Sequence, residues 1–319
     1  MKKFIAAFLC VSLAMCACGF NIHASAENAE QLHIVTTIFP LYDWIREIVG
    51  DAPNVQVIML VDSGVDLHNF QVSVDDMIQI ANADVFIYVG GESDGWVDAA
   101  LNQAGKDSRI SISLFDVLGD RLKAEELVEG MQEADEDEEE EAYDEHVWLS
   151  LRNVAVFCQA IADCLSEVDA ANRDAYQVNA ATYIERLNAL DAAYQEAISA
   201  AKRDTILVAD RFPFRYMAED YGFQYYAAFS GCASETEASF ETIIFLTEKV
   251  NELGLNVILQ LESSDGSIPS TIRQNSKAKD QEILTMNSLQ ALTSADAEAG
   301  ASYLAIMEEN LNVLKLALE

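Results

Sequence analysis

Basic residues are scarce in this chain of 319 residues. It has 19 lysines and arginines against 54 aspartates and glutamates, which gives a formal net charge of −35. Such a surface repels a phosphate backbone rather than neutralising it, so we expect no nucleic-acid partner. The excess of carboxylates suits cations instead and keeps the protein soluble. Apolar residues make up 51% of the chain. They can form a sizeable core, in one large domain or two medium ones.

Catalytic signatures are absent from the sequence as well. The chain has neither an HExxH motif nor a recognisable nucleophile motif. A zinc hydrolase would need an open metal position and a nearby general base. We therefore expect that the protein is not an enzyme.

No apolar run near the N-terminus is long enough to span a membrane comfortably. The run from Phe4 to Met15 follows two lysines and precedes small residues. This pattern predicts a secretory signal over residues 1–18 and a polar tether over residues 19–31. An N-terminal core helix is the alternative, but polar, small-residue sequence follows the run at once.

The end of this segment resembles a bacterial lipoprotein signal, in which a cysteine after a small residue is lipidated and becomes the mature N-terminus. Cys18 lies between Ala17 and Gly19 and is our choice, with Cys16 as the alternative. The resemblance implies a protein anchored by lipid to the outer face of the cell membrane.

Few cysteines remain after the signal. Cys158 and Cys164 fall in one apolar helical pattern, and Cys232 follows in the second half of the chain. Free cysteine packs as a small hydrophobe, so we expect buried free thiols in the helix. A disulfide is the alternative.

Strands and helices alternate in both halves of the chain, which predicts mostly parallel α/β sheets. We predict an N-terminal lobe over 32–168 and a C-terminal lobe over 203–319. Residues 169–202 are the predicted link between the lobes. Residues 170–202 contain neither Gly nor Pro and predict a helix of roughly 50 Å. The predicted strands are LHIVTTIF, VQVIML, DVFIYVG, SRISISLF, TILVA, FQYYAAF, NVILQLE and QEILTMN. Two such lobes place a ligand site in the cleft, outside the carboxyl ends of the strands.

Only four histidines occur, and two lie where a cleft site would be. His68, in VDSGVDLHNFQVSVDD, follows the second strand. His146, in YDEHVWLS, comes just before the next helix. Both are metal-ligand candidates, and surface or capping histidines are the alternative reading.

Four segments resemble a known family. IVTTIFPLYDWIREIVGD, DLHNFQVSVDDMIQIANADVFIYVGG, WVDAAL and DEHVWLSLRNV follow, in order, the motifs of the metal-binding lipoproteins of zinc and manganese ABC importers, of the cluster A-I type. The resemblance covers almost the whole chain after the signal. It implies two α/β lobes joined by one long helix, a metal buried in the cleft, and delivery of that metal to a membrane permease. His68 and His146 match two of the family's ligands.

The other two family ligand positions depart from the pattern. Arg211 matches the third, a His or Glu at the start of a helix in the family, and arginine has no lone pair to give. Asn287 matches the fourth, where a carboxamide oxygen is a poorer donor than a carboxylate. Glu237 and Asp210 are candidate replacements, and both could instead neutralise Arg211. The alternative for Glu237 is an acid favoured by a helix N-terminus.

An acidic run, EADEDEEEEAYDE, leads into His146. Many zinc-type members of the family carry a mobile loop of histidines and acids at this place, whereas this run has no histidine. Like charges repel, so we expect a disordered loop over 132–145 that concentrates cations near the cleft.

Together these patterns predict a monomeric, extracytoplasmic solute-binding lipoprotein for a divalent transition metal, with zinc as the favoured ion. Two imidazole nitrogens favour zinc over manganese, which tolerates oxygen-rich sites better. A manganese-specific protein is one alternative. An adhesin or interaction lipoprotein that has lost metal binding is the other, and Arg211 and Asn287 support it.

Overall fold

The computed structural model describes residues 31–105, 109–132, 142–233 and 237–319. Within these ranges the strands form two four-stranded sheets, ordered β2-β1-β3-β4 and β6-β5-β7-β8, with every pairing parallel. The strands are β1 Leu32–Thr36, β2 Val55–Met59, β3 Val85–Tyr88, β4 Ile110–Ser113, β5 Thr205–Phe212, β6 Gln224–Ser230, β7 Val257–Leu261 and β8 Glu282–Met286. The predicted fold class is confirmed, and the two lobes share one strand order.

Helices flank both sheets. They are α1 Phe39–Val49, α2 Val74–Asn82, α3 Val97–Ala104, α4 Leu114–Leu118, α5 Leu151–Val168, α6 Arg173–Ser199, α7 Arg215–Tyr221, α8 Phe240–Leu253, α9 Ser267–Asn275, α10 Ser294–Glu298 and α11 Tyr303–Ala317. Local signals set several of their ends. Ser73 caps α2 in a capping box with Asp76, and Ser239 caps α8.

The long helix α6 connects the lobes. Its 27 residues span about 40 Å, somewhat less than the sequence predicts. It packs against α1 and α5 of the first lobe and against α11 of the second. The buried stripe includes Tyr183, Leu187, Leu190 and Tyr194. The Tyr194 hydroxyl donates to the carbonyl of Met307, which fixes α6 to α11.

Helix α10 is separate from α11, although the sequence from about residue 295 onward has the pattern of one continuous helix. It ends at Glu298, the chain turns at Gly300, and Ser302 caps α11 through the backbone N–H of Ala305. The reason is this second capping signal inside the segment, which starts a helix in a new direction.

Several predictions fall outside the described residues. The signal, the tether and the lipidation site Cys18 lie in residues 1–30, and most of the acidic run lies in 133–141. The flanks of the run are described: Gln132 N–H donates to the carbonyl of Ala228, and Tyr143 pairs with Ala124 in an isolated bridge. Among the described helices, none is both long and apolar enough to cross a membrane.

Candidate metal centre

His68 lies in a short 3-10 helix, Leu67–Asn69, in the loop after β2. Asp66 caps this turn, and its Oδ1 accepts from the backbone N–H of His68 at 3.0 Å. The His68 side chain is only 8% exposed. The loop therefore holds the imidazole at the carboxyl edge of the first sheet, where the sequence predicts it.

His146 is fully buried and lies just before the 3-10 turn Val147–Leu149, which leads into α5. Asp144 fixes the orientation of His146 through two contacts. Its Oδ1 accepts from the backbone N–H of His146 at 2.8 Å and lies 3.0 Å from Nδ1 of the same residue. A carboxylate can only accept here, so Nδ1 carries the proton and Nε2 keeps a lone pair.

The two imidazoles converge through these Nε2 atoms, which lie 3.2 Å apart. His68 Nδ1 lies 2.8 Å from Ser93 Oγ, and the Ser93 hydroxyl hydrogen bonds to the Glu145 carboxylate. When each Nδ1 carries the ring proton, Ser93 accepts from His68 Nδ1–H and the two Nε2 lone pairs point at each other. Two nitrogens on one tetrahedral zinc ion stand about 3.3 Å apart for Zn–N bonds of about 2.0–2.1 Å. A cation between the rings fits the spacing and removes the repulsion of the lone pairs.

Burial keeps His68 in the neutral form that a metal requires. Burial, and next the nearby His146, lower the pKa of His68 to about 3. The imidazole is therefore unprotonated at neutral pH and can donate its lone pair without first losing a proton.

Glu145 supports His68 from behind, directly and through Ser93. Its Oε1 accepts from the backbone N–H of Ser93 at 2.8 Å, and its Oε2 lies 3.6 Å from His68 Nδ1. Gly91 makes room for this carboxylate, because a Cβ there would lie 2.5 Å from Oε1 and the backbone φ is +87°. Burial raises the pKa of Glu145 despite the hydrogen bonds from Ser93.

A third potential ligand comes from the other lobe. Cys232 follows β6, and its Sγ forms a group with the ring nitrogens of His68 and His146 in which all ligand atoms lie within 4.8 Å of one another. Sequence reasoning assigned Cys232 no role. The one available signal was its position just past the carboxyl end of a strand, at the edge where ligands of open α/β sheets bind.

Comparison with known proteins identifies the family. Residues 34–317 match the family described as ZnuA, the periplasmic component A of a zinc-uptake complex. The chain belongs to the ZnuA family.

Two curated relatives bear this out. The zinc-binding lipoprotein AdcA of Streptococcus pneumoniae is 32% identical over 99% of this chain and 61% of its own length. The high-affinity zinc uptake system protein ZnuA of Bacillus subtilis is 27% identical over 96% of this chain and 94% of its own length. The chain thus spans about three fifths of AdcA and nearly all of the Bacillus protein.

Solved structures agree with the fold. The Zn(II)-bound ZnuA-like domain of Streptococcus pneumoniae AdcA matches with a TM-score of 0.71 at 30% identity, covering 90% of this chain and 99% of that domain. The metal-dependent lipoprotein YcdH of Bacillus subtilis matches with a TM-score of 0.74 at 25% identity, again over 90% and 99%.

Arg211 lies in β5 and not in a helix. By resemblance to the family, it occupies the position of the third ligand. The strand continues past an irregularity after Val208 and ends only at Phe212. The buried guanidinium forms an ion pair with Asp66. Neither Glu237 nor Asp210, the expected neutralisers, fills that role, because the loop of His68 brings Asp66 directly to the guanidinium.

The other sequence candidates are placed differently. Among the described residues, the His–His–Cys group is the one cluster of three or more His, Cys, Asp or Glu ligand atoms, and it contains neither Asp210 nor Glu237. Asp210 accepts from the backbone N–H groups of Arg211 and Leu261. Glu237 is exposed. Asn287 Oδ1 accepts from the backbone N–H of Leu289 in a turn after β8.

Proposed function

We propose that this protein captures zinc outside the cytoplasm and passes it to an ABC permease in the membrane. The observation that carries the proposal is the pair of imidazole Nε2 atoms, 3.2 Å apart, with each Nδ1 hydrogen-bonded from behind. Zinc is the cargo here, so reversible binding in a cleft between two lobes suits the task better than a permanent structural site.

The donor set favours zinc over manganese. Imidazole nitrogen suits zinc, whereas manganese prefers carboxylate, carbonyl and water oxygens. The names of the relatives support the same ion, because both the AdcA and the ZnuA relatives are described as zinc proteins. Membership of a periplasmic uptake family and the lipoprotein relatives support a lipid-anchored position outside the cytoplasm.

The first prediction concerns the two histidines. His68→Ala and His146→Ala should each weaken zinc binding by more than about 100-fold, since loss of a ligand exceeds the 10–100-fold effect of an outer-shell change. Chelator competition measures the affinity. His33→Ala is the matched control, because His33 lies in β1 outside the cluster and should leave affinity unchanged.

Circular dichroism and thermal unfolding of the metal-free variants establish that the fold is intact. Wild-type zinc affinity in both folded variants would overturn the assignment of the site and, with it, the proposed function.

A further inference from the structure

We propose that the Cys232 thiolate is the third zinc ligand, so that the metal is held by two nitrogens and one sulfur. The inference rests on the proposed function and adds a residue to it. It also gives the second lobe a direct bond to the metal, because His68 and His146 belong to the first lobe and Cys232 follows β6 of the second.

The spacing of the three donor atoms carries the proposal. Sγ and the two ring nitrogens all lie within 4.8 Å of one another. A tetrahedral zinc ion with Zn–N bonds of about 2.0–2.1 Å and a Zn–S bond of about 2.3 Å separates nitrogen from sulfur by about 3.6 Å. Binding of all three donors to one ion therefore requires the nitrogen–sulfur separations, which are at most 4.8 Å, to reach about 3.6 Å. The fourth tetrahedral position stays open to water or another donor.

The residues around Cys232 hold its loop close to His146. A Cβ on Gly231 would lie 3.0 Å from His146 Nδ1 and 3.0 Å from the carbonyl oxygen of Phe212, so a larger residue would push the loop away from the imidazole. On the other side, the backbone N–H of Cys232 donates to Glu125 Oε1 at 2.9 Å. The loop is thus held against both His146 and a side chain of the first lobe.

Arg211 explains why a ligand from a different strand is needed. The guanidinium is buried, paired with Asp66, and has no lone pair. Cys232 follows β6, which pairs with β5, the strand of Arg211. A neighbouring strand end therefore supplies the donor that β5 lacks.

Burial and the carboxylates of Asp144, Glu125 and Glu145 raise the pKa of the Cys232 thiol, so the positive charge of the zinc ion itself has to stabilise the thiolate. Zinc binds the deprotonated sulfur, so the S–H bond breaks, its proton passes to solvent and a Zn–S bond forms, with no change of oxidation state. Two neutral imidazoles and one thiolate leave a net charge of +1 on the complex. A soft sulfur ligand further favours zinc and cadmium over manganese.

Cobalt(II) substitution of the full chain tests the proposal directly. Cobalt bound to a thiolate shows an intense near-ultraviolet charge-transfer absorption that nitrogen and oxygen ligands do not produce. Wild-type protein and the matched control Cys164→Ser should show it, since Cys164 lies in α5 outside the cluster. Cys232→Ser should lose it, and its zinc affinity should fall by more than about tenfold.

A second variant distinguishes loss of the ligand from a folding defect. Cys232→His should abolish the charge-transfer band while it retains more zinc affinity than Cys232→Ser, because imidazole can replace the thiolate as a ligand. A wild-type band and wild-type zinc affinity in Cys232→Ser would overturn the thiolate assignment. That outcome, combined with loss of binding in the histidine variants, would leave the proposed function standing.

Discussion

At the scale of single residues, the pairing of Arg211 with Asp66 links the two lobes next to the histidines. Asp66 Oδ1 accepts from the His68 backbone while Oδ2 binds the guanidinium. Burial alone would raise the pKa of Asp66, but Arg211 and His68 outweigh it, and the pKa is lowered. The pair therefore stays charged at neutral pH. Arg211 cannot itself bind a metal, but it holds Asp66, which in turn positions His68.

Removing the charge of one partner of the Asp66–Arg211 ion pair should lower the free energy of unfolding. Asp66→Asn keeps an acceptor for the His68 N–H but leaves the buried guanidinium without a counter-charge. We expect a loss of about 3–5 kcal/mol in the free energy of unfolding and weaker zinc binding. Arg211→Gln should lower the free energy of unfolding by a similar amount, because it leaves the Asp66 carboxylate without a counter-charge.

Urea unfolding of the metal-free single and double variants measures the coupling. The double variant should be less destabilised than the sum of the two single variants, because no buried charge remains unpaired. Strict additivity would show that the ion pair does not connect the lobes energetically.

At the scale of elements, the loop after β6 decides how closely the second lobe approaches His146. Gly231→Ala places a methyl group 3.0 Å from His146 Nδ1, where the side chain of Asp144 already makes its contact. We expect weaker zinc binding by roughly tenfold, on the scale of an outer-shell change. Chelator competition gives the affinity, and thermal unfolding of the metal-free variant gives its stability.

The control for this loop is Ala233→Ser, a small change two residues along the chain. It should bind zinc as the wild type does. Wild-type affinity in Gly231→Ala as well would show that the loop can relax away from His146 at no cost to the site.

The elements themselves were largely predictable from local sequence. All eight strands, the Ser73 and Ser239 caps and the buried stripe of α6 follow from periodicity and capping signals. The histidine pair also has a local signature at strand and helix ends. The predicted strand TILVA ends at Ala209, before Arg211, because nothing in the neighbouring sequence shows that β5 continues past an irregularity to Phe212.

Cys232 could not be found in this way. Its approach to His146 depends on packing between two lobes that are far apart in sequence, and on the small volume of Gly231. The same holds for Asp66, whose partner Arg211 lies 145 residues away. Local sequence patterns predict where helices and strands lie, whereas contacts between the lobes depend on the whole fold.

At the scale of the whole molecule, the net charge of −35 provides a long-range attraction for cations. Residues 133–141, just before His146, contain one alanine and eight carboxylates. Replacing the eight by Gln and Asn should slow zinc capture at low ionic strength, because electrostatic steering raises association rates. The equilibrium affinity should stay nearly unchanged, since His68 and His146 remain.

Stopped-flow capture at two salt concentrations is the measurement. The difference from wild type should vanish near 1 M salt, where the Debye length falls to about 3 Å. Equal capture rates at low salt would show that the acidic run does not steer zinc.

The central claim is that zinc binds between His68 and His146. An anomalous-difference map, collected on both sides of the zinc absorption edge from crystals of the zinc-loaded protein, tests it most directly. We predict one strong peak within about 2.0–2.1 Å of both Nε2 atoms and about 2.3 Å from Cys232 Sγ. A peak bonded to both imidazoles but not to sulfur would contradict the thiolate ligand alone. Fully loaded crystals with no peak between the imidazoles would contradict the account as a whole.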